Sequence, residues 1–284
     1  MTMEGALIER RRERVEHVNK VGYAHKPIKK KRRKTRIQRY VKPKVPRALQ
    51  ELFVACRDVF KGPGTVPAPC DVNKLCKILD NMKPEDVGLS NRLQKIFNAQ
   101  DAVKVKGSPI VTSTTVYKCS NFSLCLFFLP ATAVIPLHNH PEMTVFSKLL
   151  LGTMHIKSYD LVDPVPSHDS MQHSQRRLAR LVADKDFTSP CDTSVLYPTT
   201  GGNIHEFTAI TTCAVLDVLG PPYSKEDGRD GSHYKEVPFC AVSNGENSVK
   251  EEEGECYVWL EETEVPENSH MDEIEYLGPQ IDDK

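Results

Sequence analysis

The chain has 284 residues, enough for one medium domain with extensions or for two small domains, and enough to bury a sizeable core. It holds 38 basic and 38 acidic residues, has no run of 18 apolar residues and opens on charged sequence, which argues against a membrane-spanning helix or a signal peptide and points to an intracellular protein. The zero net charge is a sum of opposites: residues 1–48 hold 17 Lys/Arg against 4 Glu, leaving 21 basic against 34 acidic residues in the remainder.

Residues 1–45 include Arg10-Arg11-Arg12 and the run Lys29 to Lys34, with few large apolar side chains. Such a segment cannot bury enough apolar area to offset its ordering entropy, so a disordered basic tail is expected, with at most a transient helix over Ile8 to Val18. The six-residue run has the composition of a nuclear localisation signal or of a nucleic-acid-binding arm. Residence in nucleus and cytoplasm, and weak nucleic-acid contact through the tail, are the corresponding expectations.

After Pro46 the apolar residues Leu49, Leu52, Phe53, Cys56, Val59 and Phe60 fall on one helical face, and Gly62-Pro63-Gly64 stops the run. Asp71 reads as the cap of a second helix carrying Val72, Leu75, Cys76, Leu79 and Met82. These helices, spanning about 46–95, are expected to pack outside the domain that follows. From about Ile110 the helical period disappears. Short apolar or alternating runs replace it: Ile110 to Tyr117, Phe122 to Leu129, Val145 to Leu151, Met154 to Tyr159, Leu178 to Val182, Ser194 to Tyr197, Ile204 to Ile210, Cys213 to Val218 and Tyr257 to Leu260. This is the pattern of an all-β sandwich or small barrel over residues 100–284. Asp163 to Gln175, with His168 and His173, and Gly245 to Glu255 read as exposed loops. The nine cysteines form no Cys-x-x-Cys pair and are odd in number, which argues against a disulfide framework or a zinc finger.

Two stretches carry the chemistry. In Pro136-Leu137-His138-Asn139-His140-Pro141, alternation along a strand would aim both imidazoles at one point. About 65 residues later, Gly201-Gly202-Asn203-Ile204-His205 places a third imidazole after two glycines that let the backbone approach closely. Three neutral imidazoles suit Fe(II), Zn(II), Cu(II) or Ni(II). The order of these two stretches resembles that of the cupins, many of which add a glutamate ligand a few residues after the second histidine; here Thr144, Val145 and Phe146 fill that window. A site of this kind keeps the full charge of the metal and attracts an anion such as a thiolate. Iron would favour dioxygen chemistry, and zinc would favour hydrolysis by activated water. Asp217, inside the strand-like run Ala214 to Leu219, needs a partner if it faces inward; it can hold an ammonium or accept a thiol proton, or serve as a structural carboxylate. Tyr223, after Pro221-Pro222, can donate a hydrogen bond to a reactant or simply pack at the barrel mouth.

These blocks resemble the cupin superfamily, and more narrowly the plant cysteine oxidases, relatives of the animal cysteamine dioxygenases. The resemblance is carried by Pro136 to Pro141, Met143 to Lys148, Gly152 to Asp160, Gly201 to His205 and Leu216 to Tyr223, within a region running from Leu49 to Pro279. It implies a double-stranded β-helix, or jelly roll, in a thiol dioxygenase domain over 46–284. It further implies Fe(II) held by His138, His140 and His205, with Asp217 and Tyr223 assisting substrate or turnover and Lys148, Lys157 and Asp160 as scaffold or rim. The implied reaction adds both atoms of O2 to the N-terminal cysteine of target proteins, hypoxia-response transcription factors among them, giving the sulfinic acid that feeds an arginylation-dependent N-degron. A monomer without membrane contact is expected. The departures from the family pattern are Glu142, Glu206, Asp230 and Gly231; Glu206 should turn away from His205 by strand alternation. Oxidation of a small free thiol, and a non-catalytic nuclear cupin that binds DNA or transcription factors, remain the rival readings.

Overall fold

The computed structural model describes residues 46–89, 109–162, 176–237 and 256–284. The expectations for the basic tail, the helix over Ile8 to Val18, the loops Asp163 to Gln175 and Gly245 to Glu255, and Cys240 lie outside the described residues. The eight described cysteines are all free thiols.

The two amphipathic stretches form α1 (Arg47–Val59) and α2 (Pro69–Asp80), followed by a short 3-10 helix at Pro84–Val87. Asp71 does not cap α2. Ala68 holds the cap position, Pro69 opens the helix, and Asp71 falls within the first turn. Proline is favoured there because its missing N–H needs no partner at a helix start.

Among the described residues twelve strands follow: β1 (Val111–Lys118), β2 (Ser123–Leu129), β3 (Val134–His138), β4 (Thr144–Leu151), β5 (Thr153–Leu161), β6 (Arg176–Thr188), β7 (Ser194–Leu196), β8 (Ile204–Ala209), β9 (Cys213–Gly220), β10 (His233–Val237), β11 (Tyr257–Thr263) and β12 (Met271–Glu273). They make one sheet in the order β12-β1-β2-β9-β4-β7 and a second, β10-β11-β6-β5-β8-β3, that curls into a closed ring. The ring is closed by a single pair, His233 against His138. Apart from β12 running parallel to β1, the pairing is antiparallel. This is the expected jelly roll with helices outside it.

Strand alternation divides the interior into layers. From the first sheet, Leu124, Leu126, Phe146, Leu150, Ala214, Leu216 and Val218 face the helices and meet Leu49, Leu52, Phe53 and Leu75. The opposite face, with Leu149, Cys213 and Val215, meets Ile135, Met154 and Phe207 of the second sheet. A third cluster of Leu137, Tyr159, Ala179, Ile204 and Leu260 fills the curl of the ring.

Two contacts fasten the helices to the strands. The buried Lys148 reaches the Cys191 carbonyl and lies 3.5 Å from Asp80 at the end of α2, and Asp80 also accepts from the backbone and hydroxyl of Thr193 at 2.8 and 2.6 Å. Phe60, just beyond α1, lays its ring against Gly220, where a Cβ would stand 2.1 Å from ring carbons. Gly220→Ala is therefore expected to cost about 1–3 kcal/mol by overpacking, seen as a fall in Tm of roughly 3–10 °C. An unchanged melting curve would show that Phe60 can move aside at no cost.

Candidate metal centre

His138, His140 and His205 converge between the two sheets. One ring nitrogen of each lies within 4.8 Å of the others, and their ring centroids are 4.7–4.9 Å apart. His138 closes β3 and stands directly opposite His205 of β8, which is flanked on its other side by Ser158 of β5. The ring of His205 stacks on Phe207 at 4.4 Å. His140 lies beyond the end of β3, so the convergence of the His-x-His pair is not the product of strand alternation alone.

His140 is placed by a clamp instead. Asn203 Oδ1 accepts from the His140 backbone N–H at 3.1 Å, and Asn203 Nδ2 donates to the His140 carbonyl at 2.9 Å and to the Tyr197 carbonyl at 2.8 Å. Asn203 is held in turn by Asp160, whose carboxylate accepts from the backbone N–H groups of Gly201, Gly202 and Asn203 at 3.0, 2.7 and 3.3 Å. Gly202 allows this turn: its φ is +82°, and a Cβ there would meet the Ser158 hydroxyl at 2.6 Å. Asp160 is thus buried scaffold two steps from a ligand.

The chemistry of the donors fits a transition metal. Burial pushes His138 down to about 4 and holds His140 and His205 well below the ordinary imidazole value, so all three are neutral and carry free lone pairs near neutral pH. A carbonyl can only accept, so the 2.7 Å contact from His138 Nδ1 to the Pro136 carbonyl puts the proton on Nδ1 and frees Nε2 for a metal. His140 Nδ1 donates likewise to the Asn203 carbonyl at 3.3 Å. Loss of such an outer partner typically weakens metal binding 10–100-fold. Asn203→Ala keeps that carbonyl but removes the side-chain clamp on the His140 backbone, and is expected to weaken cobalt binding about tenfold, the low end of that range, in a titration against a competing chelator; unchanged affinity would rule out the clamp.

Tyr223 stands beside this centre, with Asp217 near it. Asp217 of β9 pairs with Cys125 on one side and Ser147 on the other, in the interior row between the sheets. One carboxylate oxygen is buried without a partner, and burial pushes the group up to about 7 against a hydrogen bond from Ser147. Tyr223 packs its ring 5.6 Å from that of His140, and its hydroxyl donates to the Asn139 carbonyl at 2.8 Å. That hydroxyl therefore fixes the backbone between two of the three imidazoles. Asn139 is pinned further: its N–H donates to the Ser232 carbonyl at 3.1 Å, its Oδ1 accepts from the Ser232 N–H at 2.7 Å, and its Nδ2 donates to the Tyr234 hydroxyl at 3.3 Å.

The departures occupy the periphery. Glu142 is exposed in the turn after His140, with φ of +57°. Glu206 pairs across from Lys157, on the face opposite His205, and burial followed by the neighbouring Glu236 raises its carboxyl. Asp230 is exposed near Lys225, and Gly231 lies under the Tyr223 ring. Sequence reasoning missed Asn139, Asn203 and His233, which carry no periodic signal. Asn203 alone had a pointer, its place between the glycines and His205.

The PCO_ADO family model matches residues 78–281 of this chain. Plant cysteine oxidase 2 of Arabidopsis thaliana is 48% identical over 261 residues, covering 90% of this chain and 91% of that protein. Plant cysteine oxidase 1 of the same plant is 47% identical, covering 83% and 81%. The 2-aminoethanethiol dioxygenase of Mus musculus is 29% identical, covering 75% and 86%. With this coverage and three imidazoles gathered inside a jelly roll, the chain belongs to the PCO_ADO family.

Proposed function

We propose that this protein is an iron-dependent thiol dioxygenase that converts the N-terminal cysteine of target proteins to cysteine sulfinic acid. The observation that carries the reading is the group of three inward, neutral imidazoles with no carboxylate among them. Such a donor set leaves the metal's charge uncompensated, which favours a thiolate as the arriving ligand. Iron(II), when bound there, supplies open positions and the redox capacity for O2.

The reaction balances as R–SH plus O2 giving R–SO2⁻ and one proton. Sulfur loses four electrons, O2 gains them, and both oxygen atoms end on sulfur. Asp217, raised to about 7 and left with an unpartnered oxygen, is the acceptor for the thiol proton. Tyr223, through Asn139, holds the ligand segment in place. The buried apolar wall of Met143, Val145, Leu196 and Leu219 limits water beside the centre.

The test is to incubate the iron-loaded protein under labelled O2 with a peptide beginning in cysteine and weigh the product. A gain of two oxygen atoms, both labelled, supports the proposal; absence of any gain under air refutes it. Turnover of free cysteamine in preference to the peptide would instead favour the small-thiol reading.

Sulfination of this kind would feed an N-degron that reads oxygen, with hypoxia-response transcription factors among the substrates. The run Lys29 to Lys34 supports residence in the nucleus as well as the cytoplasm. Alanines at these six positions are expected to leave a tagged protein cytoplasmic, and an unchanged nuclear signal would refute import through this run.

A further inference from the structure

His233 opens β10 directly across from the ligand His138. Side chains of opposed residues in an antiparallel pair project to the same face, so His233 shares the ligands' side of the sheet. Its ring centroid is 6.4 Å from that of His138, against 4.7–4.9 Å among the three ligands, and it stands outside their converging group. The neighbouring collar is internally satisfied: Asn139, Tyr223, Ser232 and Tyr234 bond one another. His233 is half-buried, and among the described residues its imidazole has no hydrogen-bond partner.

An imidazole both donates and accepts, which matches the two polar groups of a peptide unit. A peptidyl cysteine whose sulfur meets the centre carries its first peptide group about one residue length further out, ~3.5 Å. His233 borders the centre at that outer position, its ring 6.4 Å from that of His138. Cysteamine offers the same thiol and ammonium but has no such group. We propose that His233 hydrogen-bonds the first peptide group of the substrate and thereby separates a peptidyl N-terminal cysteine from a small aminothiol. The assignment rests on the thiol dioxygenase reading above.

The test uses the full-length iron-loaded protein as wild type, His233→Phe and His233→Gln. Each is given a cysteine-initiated peptide and cysteamine. Sulfinic product is followed under air, and binding of each thiol is titrated under argon. His233→Phe is expected to raise the KM and Kd for the peptide about tenfold, equivalent to about 1.4 kcal/mol, with kcat and the cysteamine constants unchanged. His233→Gln, which keeps a donor and an acceptor, restores most of the loss. Unchanged peptide constants in His233→Phe overturn the assignment, as does a parallel loss for both thiols. Should the wild type bind the peptide under argon yet fail to oxidise it, the dioxygenase reading falls and the titration still decides the role of His233. Absence of peptide binding by the wild type overturns both.

Discussion

Alanine at position 205 is expected to leave the protein folded while taking oxygen transfer to a cysteine-initiated peptide below about 1% of wild type. The bound is set by comparison: removing an outer-sphere partner of a ligand already costs 10–100-fold, and His205 is itself a ligand in this reading. It is also the most central of the three, lying between His138 of β3 and Ser158 of β5. Two imidazoles on one short segment cannot fix a metal with the geometry that three provide. The fold should survive, because the lost ring is neutral and the Phe207 that stacks on it belongs to a separate apolar cluster. Metal content after anaerobic loading and gel filtration, read beside the product mass, checks the result. Near-normal turnover with His205→Ala would sink the three-histidine assignment.

Asp217→Asn should move stability and activity in opposite directions. The folded protein holds this carboxyl at about 7, against the ordinary 3.8 of an aspartate in the unfolded chain. Between those two pH values the folded state retains a proton that the unfolded state has released. Folding stability of the metal-free protein therefore falls as pH rises through the window, and the loss is complete above about pH 7. Asparagine is neutral throughout, so the variant gains up to roughly 4 kcal/mol above pH 7 and nothing below about pH 4. Paired melting curves at acid and alkaline pH read this directly. Turnover falls instead, by about 10²–10⁴-fold, because the amide cannot take the thiol proton. A variant with no pH-dependent gain would mean that Asp217 is already paid for by a partner, and one with normal kcat would remove it from the proton path.

Much of this was legible in residue order because burial imposes periodicity. The stripe from Leu49 to Val59 has one apolar face for the strands to cover, and the nearly unbroken apolar run Cys213 to Gly220 marks a strand covered on both faces. Elements with weaker demands escaped. β3 contains Pro136, which cannot donate to a ladder, and its pairing with β8 is irregular between Ile135 and His138. β10 reads His-Tyr-Lys-Glu-Val, with no apolar face to announce it, and β12 is three residues long. β6 extends to Thr188 through Asp184, Lys185 and Asp186, well past the apolar run Leu178 to Val182. Within the site, residue types and spacing pointed to the imidazoles. The clamps by Asn139 and Asn203 depend on groups 93 and 63 residues away and exist only once the chain has closed.

That closure bears on the order of events as the chain folds. The ring is completed by His138 meeting His233, a pair separated by nearly a hundred residues, while His205 flanks His138 on its other side. Contacts of such long range form slowly, after local hairpins such as β5 with β6. A chain emerging from the ribosome presents His138 and His140 as an isolated pair long before the third imidazole is synthesised. On the proposed function, a metal that needs all three imidazoles is therefore held only once the sheets have joined.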